Sequence, residues 1–203
     1  SLIARYRQAD LLICTGAELE LGWLPPLAEK GNNSRLAPGS PGYFEASAFV
    51  TMRELPSSLD RAEGDVHPFG NPHIQTGPQN ILPVAQGLAA RLALLDPAHA
   101  ADYGARLQQF TTRWNAALAK WQAQARPLQG LSVISAHRSW VYLYEWLGVK
   151  EVATLEPKPG LPPSAAYLET LLGRLQTQPA KMVVYAAYQD RRPVEWMTAR
   201  ASI

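Results

Sequence analysis

Between residues 97 and 126 the chain carries one helical pattern long enough to constrain everything around it. Tyr103, Leu107, Phe110, Trp114, Leu118, Trp121 and Ala125 recur every three or four residues, the spacing that lines one face of an α-helix. Asp96-Pro97 is a start signal, with Asp as N-cap and Pro at the first helical position, and Pro127 and Gly130 end the run. About 30 residues at ~1.5 Å each make a rod of roughly 45 Å. That is longer than one small lobe needs, so the pattern predicts a helix bridging two lobes. Trp114 and Trp121 on this face fit core packing better than a stacking platform.

Either side of this rod the chain alternates elements. Before it, the pattern predicts a helix ending near Ala9, a strand over 10–15, a helix over 23–30 and a Gly/Asn/Ser/Pro loop over 31–42. Residues 49–55 suit a strand or a helix. A Gly/Pro/His loop over 64–78 follows, then a helix on which Ile81, Val84, Ala85, Leu88, Ala89, Leu92 and Leu95 recur. After Gly130 come a strand (131–135), a helix (140–147, stopped by Gly148), a strand (149–155), a helix capped by Ser164, a strand (182–187) and the beginning of another helix. Strands alternating with helices argue for parallel sheets covered by helices. The expectation is an α/β protein of two lobes: residues 1–96, a linking helix over 97–126, and residues 127–203.

Composition narrows the function. The 203 residues are 47% apolar and 18% charged, with a formal net charge of +2, a globular balance rather than a disordered one. Lys and Arg are scattered, so no nucleic-acid footprint is present. No stretch reaches the ~18 apolar residues of a membrane span. The opening Ser1-Leu2-Ile3-Ala4-Arg5-Tyr6 lacks the form of a secretory leader, which in a mature or trimmed chain says nothing about export. The lone Cys14, inside Leu11-Leu12-Ile13-Cys14, reads as a buried small hydrophobe that offers neither a disulfide nor a cysteine-based zinc site.

Two of the four histidines stand where a site is expected. His137 follows the strand over 131–135, and ligands of open α/β sheets bind beyond the carboxyl ends of strands. His73 lies in Gly70-Asn71-Pro72-His73, where Pro72 stiffens the backbone. Each alone reads more plainly as a structural or surface residue. His67, in the same loop as His73, is an accessory candidate, while His99 reads as exposed beside Asp102. The stiff run Glu156-Pro157-Lys158-Pro159-Gly160-Leu161-Pro162-Pro163-Ser164 is either a rigid crossover or a cleft wall on which Glu156 orients a neighbour. Nucleophile elbows, His-Glu-x-x-His, phosphate loops and GxGxxG are all missing.

Taken in order, Ala9-Asp10-Leu11-Leu12-Ile13-Cys14-Thr15-Gly16-Ala17-Glu18-Leu19-Glu20, Gly70-Asn71-Pro72-His73, Ala136-His137-Arg138-Ser139-Trp140 and the 156–164 loop resemble the cluster-nine solute receptors. These are the zinc- and manganese-binding proteins of bacterial ABC importers. The resemblance implies two α/β lobes joined by a rigid helix, with the metal held between them. It also implies a periplasmic protein, or one tethered to the outer face of the inner membrane, that hands its ion to a membrane permease without catalysis. Carried over, the ligand positions are His73 and His137. Manganese-type members resemble a Glu at the latter position, so His137 points to zinc over manganese. The resemblance places the family's first ligand upstream of Ser1 and an acidic fourth beyond Ile203. Gly77 stands where the family has Asp, and Asp65-Val66-His67 is at most a remnant of a longer His/Asp-rich loop.

Two other readings remain at this point: a zinc-dependent hydrolase with His73 and His137 as ligands and Glu156 as base, and a surface adhesin on the same scaffold. A histidine site should lose its metal on acidification through the ordinary imidazole range, about pH 6.5.

Overall fold

The computed structural model describes residues 1–56, 64 and 67–203. Its first layer is α1 (Leu2–Gln8), β1 (Leu12–Cys14), α2 (Leu24–Gly31) and β2 (Tyr43–Glu45), with β1 parallel to β2 and Cys14 level with Glu45. Strand β1 is shorter than expected, and β2 is a strand that three residues are too few to announce by periodicity. Phe44 of β2 is fully buried and stacks on Phe49, ring centres 5.0 Å apart. Residues 49–55 form neither strand nor helix: a 3-10 turn, Ala46–Phe49, gives way to irregular chain. Asp65 and Val66 lie outside the described residues.

Helices α3 (Ile81–Leu95) and α4 (Ala100–Ala125) follow. The Asp96-Pro97 start opens a 3-10 turn, Pro97–His99, before α4. The Asp96 side chain caps no backbone group; its carboxylate accepts from His99 Nδ1 (2.8 Å) and the Tyr103 hydroxyl (2.7 Å). With 26 residues, α4 spans about 39 Å. It lies against α3, and none of its residues is fully buried. The aromatic stripe is therefore a half-exposed seam rather than core. Trp114 meets Phe110 and Trp121 at 5.5 and 5.4 Å, and its indole N–H donates to the Pro78 carbonyl at 3.0 Å.

Beyond α4, the chain forms a second parallel sheet in the order β4-β3-β5, from β3 (Ser132–Ser135), β4 (Lys150–Thr154) and β5 (Val183–Val184). Helices α5 (Val141–Leu147), α6 (Ala165–Arg174) and α7 (Arg191–Ala201) complete this half. Ser164 caps α6 by accepting from the Tyr167 N–H. The core runs through Ile134, Leu155, Leu168, Leu171, Val194 and Met197, where sheet and helices remove apolar surface from water. Helix α7 ends at Ala201, with Ser202 in a left-handed conformation, rather than continuing through Ile203. The architecture is the expected mixture: helices on parallel sheets, with one long helix between the halves in the chain. Among the described residues no helix is long and apolar enough to cross a membrane.

A polar seam joins the halves. The buried Tyr142 hydroxyl donates to the Asn71 carbonyl (2.6 Å) and accepts from the Arg53 N–H (3.2 Å). Thr76 Oγ1 donates to the Ser139 carbonyl and Gln79 Nε2 to the Tyr142 carbonyl. Removing the hydroxyl leaves backbone groups without a partner away from water, which costs about 1–3 kcal/mol. Tyr142→Phe should therefore lower the unfolding free energy by about that much in urea titration. A loss under about 0.5 kcal/mol would mean the seam contributes nothing.

Candidate metal centre

Strand register places two of the expected residues side by side. In the parallel pair β3–β4, Ser135 is level with Thr154. Two residues further along each strand direction stand His137 and Glu156, so both leave the sheet at its carboxyl edge together. His137 Nδ1 lies 2.7 Å from Glu156 Oε2, each side chain about a fifth exposed (22% and 23%). A carboxylate can only accept, so Nδ1 carries the proton and Nε2 keeps the lone pair. Glu156 also accepts from the Gly160 N–H at 3.0 Å, which ties the proline-rich loop to the same carboxylate. It orients its neighbour, as one of the two readings of that loop had it.

His73 arrives from the other half on a strapped loop. Gly70 has φ +94°, and a Cβ there would stand 2.6 Å from the Arg53 carbonyl oxygen. The Asn71 N–H donates to that same carbonyl at 2.7 Å. Pro72 is fully buried, and His73 opens a 3-10 turn, Ile74–Thr76. At Gly77, a Cβ would come 2.7 Å from Tyr142 Cβ and 2.6 Å from Asn80 Nδ2. A larger residue here would push on the tyrosine that anchors the loop.

The two imidazoles meet with ring centres 5.3 Å apart and planes at 69°. His67 joins them in lining a cavity of about 340 Å³, with Glu54, Asn71 and Arg138 in its walls. A larger cavity of about 760 Å³, bounded by Pro162, Pro163, Tyr188 and Trp196, also reaches both rings. Among the described residues, no set of three or more His, Cys, Asp or Glu is arranged to hold a metal. His99 is exposed and paired with Asp96 rather than Asp102. Sequence reasoning missed Glu54 and Arg138, which form an ion pair beside the histidines, with Arg138 also 3.4 Å from the partly buried Glu151. Glu54 sits in irregular chain, so no periodicity pointed to it.

Burial, reinforced by the nearby His137 and His67, pushes the His73 pKa down to about 4. His73 is therefore not the group that sets acid release near pH 6.5; it stays neutral and ready to coordinate well below that. In the unfolded chain it takes up a proton near pH 6.5. Its contribution to stability is then undiminished above that pH and declines as the pH falls from about 6.5 toward about 4. An NMR titration of the metal-free protein should place the His73 midpoint at about 4. A midpoint near 6.5, the ordinary imidazole value, would contradict the burial.

A family model described as "Zinc-uptake complex component A periplasmic" matches residues 1–202. Among curated proteins none matches the sequence. Similar solved structures include a crystal structure of ZnuA, at 22% identity and TM-score 0.76, covering 98% of this chain and 72% of that one. A ZnuA deletion mutant with zinc bound is 23% identical at TM-score 0.75, covering 98% and 70%. FpvC from Pseudomonas aeruginosa, in complex with Mn²⁺, is 21% identical at TM-score 0.73, covering 99% and 69%. At such identities the likeness is one of fold. The family model spans nearly every residue, and on that ground the chain belongs to the periplasmic zinc-uptake component A family, the metal-binding receptors of ABC importers.

Proposed function

We propose that this chain captures Zn²⁺ between His73 and His137 and delivers it to the permease of an ABC importer, in the periplasm or tethered to the membrane's outer face. Residues 1–96 and 127–203 serve as the two lobes and residues 97–126 as their spacer. The observation that carries the ligand assignment is the spacing of the imidazoles. Two imidazoles on one tetrahedral zinc, with Zn–N about 2.05 Å and ring centres roughly 1.15 Å behind each nitrogen, stand about 5.2 Å apart. His73 and His137 are at 5.3 Å. Their Nδ1 atoms are engaged by Asn71 Oδ1 and Glu156 Oε2, which leaves both Nε2 lone pairs for the ion.

Imidazole donors favour zinc over manganese, which prefers carboxylate and water. A related structure carries zinc and another Mn²⁺, so the preference here rests on the donor set. His67, on the same cavity wall, is the accessory candidate; as placed it does not complete a three-residue set with the imidazoles, and water can complete the shell. A hydrolytic role is less well supported. Glu156 Oε2 already accepts from His137 Nδ1 and the Gly160 N–H, the position of an orienting carboxylate rather than of a base on bound water.

His73→Ala and His137→Ala should each weaken zinc binding by about 100-fold or more in calorimetry, with Glu156→Gln costing about 10–100-fold. Wild-type affinity in either alanine variant would remove that residue from the site. His137→Glu should narrow the ratio of zinc to manganese affinity, because it trades a nitrogen donor for an oxygen. An unchanged ratio would show that position 137 does not select the metal.

A further inference from the structure

The loop that presents His73 and the loop that presents His137 meet on one side chain. Asn71 is 7% exposed. Its Oδ1 accepts from the His73 backbone N–H at 3.0 Å. A backbone N–H can only donate, so this contact identifies the oxygen end of the amide. The same Oδ1 lies 3.0 Å from His73 Nδ1, which must therefore carry the ring proton and leave the lone pair on Nε2. The nitrogen end, Nδ2, donates to the Arg138 carbonyl at 2.7 Å and to Glu54 Oε2 at 2.8 Å. Arg138 is the residue directly after His137. One planar amide thus holds the protonation of one imidazole and the backbone beside the other.

We propose that Asn71 is the positioning residue of the centre: it selects the His73 tautomer and sets the distance between the two imidazoles. The proposal rests on the reading of His73 and His137 as ligands and names the group that makes them a pair. Asn71 acts through the His73 ring and through the backbone beside His137, and touches no metal itself. Histidine free in water favours the opposite tautomer, with the proton on Nε2, which would turn a donor hydrogen toward the ion. The two roles separate chemically. Asp at this position keeps an acceptor for His73 Nδ1 but turns an oxygen toward the Arg138 carbonyl and Glu54. Ala supplies neither contact.

Long-range ¹⁵N–¹H spectra of the metal-free protein read the tautomer, and zinc calorimetry reads the affinity. In the wild type, His73 should be protonated at Nδ1. Asn71→Ala should shift it toward the Nε2–H form and weaken zinc binding by about 10–100-fold. Asn71→Asp should keep the Nδ1–H form yet lose affinity on that same scale. An Nε2–H His73 in the wild type overturns the proposal without any variant. So does a folded Asn71→Ala protein that keeps the Nδ1–H form or the wild-type affinity. Should the alanine variant not fold, wild-type affinity in Asn71→Asp overturns the spacing role. Unchanged zinc affinity in His73→Ala sinks the ligand assignment instead, and the metal-free spectra tell the two failures apart.

Discussion

The buried hydroxyl of Tyr142 holds in place the loop on which the metal centre depends. It donates to the Asn71 carbonyl and accepts from the Arg53 N–H, two backbone groups that the fold takes out of water. Irregular chain has no ladder to satisfy such groups, so something must reach in from elsewhere. The tyrosine can do so because α5 packs against the turns over 74–76 and 78–80, and it can lie that close because position 77 has no side chain. The bare backbone at position 77 and the anchoring of the loop are thus one feature. Trp114 adds a second hold, from the long helix to the Pro78 carbonyl. With backbone on both sides of His73 secured, the ring can be held without a large ordering cost when an ion arrives.

Parallel pairing does the corresponding work for His137. Because β3 and β4 run the same way and Ser135 is level with Thr154, their next residues emerge together at one edge. Glu156 is then within a hydrogen bond of the ring and points its lone pair outward. Carboxylate–imidazole–metal arrangements of this kind raise ligand basicity and fix orientation. The two halves contribute opposite electrostatics. On one side, burial keeps His73 neutral to about pH 4; on the other, a carboxylate faces His137. A dication meets a neutral donor on one side and a carboxylate-backed donor on the other, so His73 has no proton to release on coordination near neutral pH.

Much of this was legible in the residue order. The repeat from Ile81 to Leu95 predicts α3 as it stands, and Ser164 caps α6 as its position suggests. Short elements were not legible. β2 has three residues and β5 two, too few for alternation to register, and residues 49–55 answer to neither period because they form no regular structure. The long helix was read correctly but its aromatic face was not. An apolar stripe at helical spacing marks which side faces other protein, yet how deeply it sinks depends on what lies against it, and here that is chiefly one helix, α3.

Residue order alone dictates that helices and parallel strands alternate around a long rod, and that His73 and His137 stand on loops where such folds bind ligands. Those are local matters: apolar spacing, caps, proline and the edge of a strand. Packing in three dimensions brings the two rings to 5.3 Å and sets Glu156 rather than water behind His137. It alone decided that one amide at Asn71 serves both loops, and that Glu54 and Arg138 pair beside them. These contacts join residues as far apart as 67 and 84 positions in the chain. No period in the sequence spans such a gap; the contacts exist because polar groups taken out of water by the fold must find partners inside it.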